Sequence, residues 1–191
     1  MLVDFYKKKN IKKMEGYSQE VAGEVDFLKK IVKSRGVVNV MEIGFNAGHS
    51  AEIFLSSNTK CKLWSFDIGR WSYVNLGKEF IDENFPNRHR LILGNSLITI
   101  PKFPTQKFDL IFIDGGHAYN VSKSDIENCK RLSHKETIIV MDDTMNKPEW
   151  EKSWNKGVNK AWRESIDEGL IVQNGFEDYG KGRGLSWGRY K

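Results

Sequence analysis

Cysteine and histidine are scarce in this chain: two cysteines, Cys61 and Cys129, and four histidines in 191 residues. None of them falls into a C-x-x-C or H-x-x-x-H spacing, so no local zinc motif is encoded. The two thiols read as buried free cysteines of a reducing compartment. Long apolar runs are missing too; none approaches the ~18 residues of a membrane-spanning helix. The basic start KKKNIKK is not followed by the apolar stretch of a leader peptide, and a cytoplasmic protein is expected. Neither the G-x-G-x-x-G of dinucleotide sites nor the G-x-x-x-x-G-K-[ST] of P-loops occurs, which argues against a nicotinamide oxidoreductase. The Asn/Asp-Pro-Pro-aromatic signature of amino-methylating enzymes is also missing, and there is no internal repeat, linker or low-complexity tract.

What is present suits one soluble domain. With 39% hydrophobic and 29% charged residues, the chain has enough apolar material for a single core. Much of the net charge of +5 lies in Lys7, Lys8, Lys9, Lys12 and Lys13. Residues 1–17 therefore read as a solvated, mobile arm rather than a nucleic-acid stripe, and 18–191 as the domain. The expected helices cover 18–34 (Ser18 as cap, Gly36 as stop), 49–56, 72–84, 118–133 and 153–168. LIVQNGFEDY and GLSWGRY read as two strands joined by the turn GKGRG. Strand–helix alternation before a terminal hairpin predicts an α/β fold with a mostly parallel sheet.

Four strand ends carry the chemistry. VVNVMEI (37–43) is a near-continuous apolar strand that reaches Glu42 and then a loop with Gly44 and Gly48. Those glycines permit a sharp turn and close approach to a ligand, with a helix N-terminus facing it. An acidic residue before the first glycine repels a pyrophosphate but suits a cationic ligand. KLWSFDI (62–68) brings Asp67 to the end of the next strand, about 24 residues after the Gly44 turn begins, placed to accept hydrogen bonds from ribose hydroxyls. FDLIFIDGGHAY stops at Asp114, followed by two glycines and His117, and IIVMDDT (138–144) stops at Asp142 and Asp143. Neighbouring strand ends converge on one crevice in such sheets. Three carboxylates there repel one another unless a cation neutralises them, and oxygen ligands suit Mg²⁺, Mn²⁺ or Ca²⁺.

The ordered set VMEIGFNAGHS, LWSFDIG, LILGNS, FDLIFIDGGHAY and IIVMDDT resembles the class I S-adenosylmethionine-dependent methyltransferases. Within them it is most similar to the small metal-dependent O-methyltransferases of the catechol and macrolide-sugar group. The resemblance covers roughly residues 20–190 and implies a Rossmann-like seven-stranded sheet with helices on both faces and an antiparallel C-terminal hairpin. It further implies that Glu42 and the loop of Gly44, Asn46, Gly48 and Ser50 hold the methionine portion and Asp67 the ribose, with Asn95 and Ser96 near the adenine. Asp114, Asp142 and Asp143 match the metal positions, Asp114 and His117 the catalytic ones.

Catechol-type members carry a lysine base three residues after the first metal aspartate. Here that position is His117, as in sugar-methylating members, so a sugar or polyol hydroxyl is the expected acceptor. His117 reads as the general base, or alternatively as a residue that bonds the metal ligands. Trp150 and Trp154 read as anchors of the following helix, with stacking on a sugar ring as the alternative. The GKGRG turn, with Lys181 and Arg183, reads as a solvated hairpin tip. The partner expected is a small-molecule hydroxyl compound; no membrane and no nucleic acid is expected, and a homodimer is left open. A non-catalytic S-adenosylmethionine-binding protein and a nucleic-acid methyltransferase are the alternatives.

Overall fold

The structure is a computed structural model that describes residues 1–11, 14, 20–180 and 182–191. Five strands run parallel: β1 (Asn39–Ile43), β2 (Lys62–Asp67), β3 (His89–Leu93), β4 (Phe108–Ile113) and β5 (Ser133–Asp142). The hairpin β6 (Ile171–Gly180) and β7 (Arg183–Tyr190) adds two antiparallel strands, giving the order β3-β2-β1-β4-β5-β7-β6. The order reverses between β1 and β4, so their carboxyl ends open the crevice where such sheets bind ligands.

Period-two alternation in the strands sorts the core onto two faces. Val40, Leu63, Leu110, Phe112 and Val140 point to one side, against α2 (Ala22–Val32), α3 (His49–Ser57) and α4 (Tyr73–Asn84). Met41, Ile43, Ile111, Ile113 and Met141 point to the other, against α5 (Ser96–Lys102), α6 (Tyr119–Lys130) and α7 (Lys156–Asp167). Each helix contributes an apolar stripe, such as Leu28 and Val32 from α2 or Val158, Ala161 and Trp162 from α7.

Several boundaries differ from the sequence reading. The helix expected over 18–34 is described from Ala22 to Val32, and Ser18 lies outside the described residues. The helix expected to run to 133 ends at Lys130, and β5 begins at Ser133, five residues before the apolar run IIVMD. Residues 96–102 form α5, a helix the sequence reading did not expect, capped by the Asn95 side chain, which accepts from the Leu97 backbone N–H at 3.0 Å.

The basic N-terminal segment is also a correction. Residues Leu2–Lys8 form α1, with Leu2 and Tyr6 buried, rather than a solvated arm. The lysines occupy the other faces of this short helix, so the positive run hides two buried positions one turn apart. The Tyr6 hydroxyl lies 2.9 Å from the Ala47 carbonyl and 3.0 Å from that of Tyr73, tying the glycine loop to the start of α4. Lys12 and Lys13 lie outside the described residues.

Candidate active site

One cavity of about 700 Å³ opens at the carboxyl end of the parallel strands. Small-molecule sites span about 300–1,000 Å³, so a nucleoside-sized ligand fits. Its wall includes Gly44, Asn46, Asp67, Asn95, Ser96, Asp114, His117, Asp142 and Asp143. Residues separated by up to a hundred positions in the chain are thus gathered by strand ends alone.

The loop after β1 forms one wall. Gly44 has φ 96°, and a Cβ there would stand 1.9 Å from the Asp114 carbonyl oxygen, so only glycine lets β1 and β4 end side by side. The Asn46 N–H donates to Asp67 Oδ2 at 2.8 Å, and the Gly69 N–H to Oδ1 at 2.7 Å. Asp67 is therefore held rigidly, with lone pairs left over for a ligand hydroxyl. Ile68 and Trp71 stand exposed at this rim, with Arg70 packed over the Trp71 ring.

Glu42, Gly48 and Ser50 sit behind the loop instead of on the cavity wall. The Glu42 carboxylate is fully buried and accepts from the Ser50 and Ser65 hydroxyls. Burial pushes its pKa up to about 7, against the pull of those two hydroxyls. Gly48 takes the left-handed conformation that starts α3, φ 84°. These three shape the loop from behind.

The acidic end is built from β4, β5 and the segments after them. Donor atoms of Asp114, His117 and Asp143 all lie within 4.8 Å of one another. The His117 Nε2 is 3.1 Å from Asp143 Oδ2. Asp142 lines the same cavity, yet the converging trio uses His117 in the place the sequence reading gave to Asp142. Burial, then the Asp143 charge, holds the Asp114 carboxyl well above the usual range; burial, then the Glu24 charge, does the same to Asp142. Glu24, buried on α2, is a fourth carboxylate of this end that no strand-end pattern signals.

Asp143 adopts φ 57°, a conformation non-glycine residues rarely hold. Two buried asparagines enforce it: the Asp143 carbonyl accepts from Asn155 Nδ2 at 3.1 Å and Asn159 Nδ2 at 3.3 Å. Asn155 also donates to the Gly182 carbonyl at 3.3 Å, which fixes the β6–β7 turn beside the acids. Arg183 consequently lines the cavity, 3.7 Å from Asp143 Oδ1, so the solvated-tip reading is corrected; Lys181 lies outside the described residues. Trp154 lines the cavity as well, its ring 5.2 Å from that of His117, while Trp150 is packed under Lys147 away from that wall. The anchor reading is corrected for Trp154.

Residues 41–144, more than half of the chain, match the family described as a methyltransferase domain. The chain belongs to this family, and its sheet is that of the class I S-adenosylmethionine-dependent methyltransferases. Among solved structures, the O-methyltransferase from Bacillus cereus in complex with SAH has a TM-score of 0.74 at 19% identity, over 100% of this chain and 89% of that one. The O-methyltransferase TomG from Streptomyces achromogenes, involved in tomaymycin synthesis and solved with SAM, has a TM-score of 0.74 at 15% identity, covering 100% and 87%. CalS11, a TDP-rhamnose 3'-O-methyltransferase of calicheamicin biosynthesis, has a TM-score of 0.62 at 21% identity, covering 86% and 76%. No curated protein matches the chain.

Proposed function

We propose that this methyltransferase moves the methyl group of S-adenosylmethionine onto a hydroxyl of a small molecule, a sugar or polyol, with the help of a divalent cation. The observation that carries the reading is the convergence of Asp114, His117 and Asp143 in the same cavity that Asp67 enters from the other side.

The residues present fit both groups. For the cofactor, Asp67 offers lone pairs at the ribose end, and Asn95 and Ser96 line the base end of the wall. S-adenosylmethionine brings a methyl group already activated on sulfonium, so the site needs alignment and proton removal rather than a covalent intermediate. For the cation, Asp114 and Asp143 supply oxygen donors, with Asp142 and His117 beside them. A bound Mg²⁺, Mn²⁺ or Ca²⁺ would lower the pKa of an acceptor hydroxyl.

His117 takes the proton that the acceptor loses. Its Nε2 faces the Asp143 carboxylate, which holds the imidazole in one orientation and leaves Nδ1 as the acceptor nitrogen. The imidazole is 41% exposed, so a substrate can reach it. Trp154 and Arg183 supply a flat face and a guanidinium on the same wall, suited to a pyranose ring and its oxygens. The sugar-methylating CalS11 supports the same acceptor class. A role limited to cofactor binding leaves the Asp143–His117 pair without a use.

Transfer to a panel of sugars, nucleotide sugars, polyols and catechols, with Mg²⁺ and followed by formation of S-adenosylhomocysteine and the methyl ether, tests this. Turnover is expected with a sugar or polyol. Transfer confined to amines or to nucleic acid, by folded protein, contradicts it.

A further inference from the structure

His89 is a buried imidazole that the transfer chemistry leaves without a task, and it stands at the outer end of a run of hydrogen bonds behind the glycine loop. It opens β3, with its side chain wholly shielded from solvent. Its Nε2 lies 3.1 Å from Ser65 Oγ on β2, Ser65 Oγ donates to Glu42 Oε2 at 2.5 Å, and Ser50 Oγ donates to the other Glu42 oxygen. Glu42 therefore joins the end of β1 to β2 and to the first turn of α3. The imidazole is also stacked on Phe45, with ring centroids 5.0 Å apart and planes 20° from parallel. Phe45 lies between Gly44 and Asn46; those two line the cavity, while Phe45 is buried behind it.

Both Glu42 oxygens accept from hydroxyls, which commits the Ser65 proton to the carboxylate and leaves Ser65 only lone pairs for His89. The proton between His89 and Ser65 then belongs to Nε2. Burial, then the Lys78 charge, pull the His89 pKa down to about 4, so the ring is neutral and carries one N–H. Nδ1 stands 3.5 Å from Asp82 Oδ1 without the geometry of a hydrogen bond, so Nε2 is the better place for that proton.

We propose that His89 is a positioning residue for the cofactor: by donating to Ser65 it keeps Glu42 bonded on both oxygens and so fixes the loop of Gly44 and Asn46 against the ligand. The inference rests on the cofactor reading above. A loop already held in place loses less freedom when the ligand binds. Without the His89 donor, the Ser65 hydroxyl is free to turn from the carboxylate, and the tie between β1, β2 and α3 loosens.

Calorimetric titration of S-adenosylhomocysteine, paired with thermal unfolding, tests this on variants that separate the hydrogen bond from the ring. His89→Phe keeps a ring to stack on Phe45 but has no N–H. Its affinity is expected to fall by about tenfold, the scale of one hydrogen bond to a charged group, with the melting temperature held or raised. His89→Gln loses the ring but places an amide N–H near the position of Nε2, so it should bind nearly as wild type even where it melts earlier. A purely structural histidine reverses that order. Ser65→Ala should weaken binding by a similar factor, and adding His89→Phe to it should bring no further loss, because both remove one linkage. If Ser65→Ala fails to fold, the Phe and Gln variants serve alone. Wild-type affinity in His89→Phe, the reversed order, or additive losses in the double variant overturn the proposal and leave the cofactor reading intact. Absence of binding to folded wild-type protein overturns both.

Discussion

Excess chelator is expected to abolish methyl transfer, by roughly 10²-fold or more, while S-adenosylhomocysteine still binds. Burial, with the charge of Asp143 at Asp114 and of Glu24 at Asp142, raises the pKa of both carboxyls, and a divalent cation offsets that repulsion. Because the folded-state pKa values are raised, protons compete with the cation. Cation affinity therefore rises with pH. Asp114→Ala and Asp143→Ala should reproduce the loss at saturating cation, since both contribute converging donors. Asp142→Ala measures the part played by the carboxylate that lines the cavity outside the converging trio. Full activity in chelator shows that the acids are structural.

His117→Ala is expected to lower the rate of transfer by about 10²–10⁴-fold, the range of general-base catalysis, with cofactor affinity unchanged. The Asp143 contact makes the loss larger than for a free surface imidazole, because the carboxylate orients the ring. Since His117 also belongs to the converging donor set, cation affinity is measured on the same variant. A slow variant that binds the cation normally assigns the proton to His117. A near-normal rate removes the base and leaves the cation role standing.

Much of the crevice was legible in the sequence because an α/β sheet reduces the problem to strand ends. The runs ending at Asp114 and Asp142 are β-branched and apolar, the one ending at Asp67 carries Leu63, Trp64 and Phe66, and the structure ends β2, β4 and β5 at or next to these acids. The reversal between β1 and β4 then brings them together. Side-chain roles set by long-range contacts were not legible. Trp154 and Arg183 reach the cavity because Asn155 binds both the Asp143 and Gly182 carbonyls, a link across 27 residues that no local pattern carries. Glu24 and Asp125 sit on helices close to other charged residues, Asp26 in one case and Lys123 and Glu127 in the other, where an acid reads as an exposed position. The α1 helix was hidden by its lysines, and the place of His117 among the donors depends on how the chain turns after Gly115 and Gly116.

Calorimetric titration of S-adenosylhomocysteine into wild-type protein and Asp67→Ala tests the central claim most directly, since it needs neither the acceptor nor the cation. Binding in the micromolar to low-millimolar range is expected for wild-type. Asp67→Ala should weaken it by about 1.5–3 kcal/mol, the scale of hydrogen bonds to a charged group. Absence of binding to folded wild-type protein, or an Asp67→Ala variant that binds as tightly, would contradict the account.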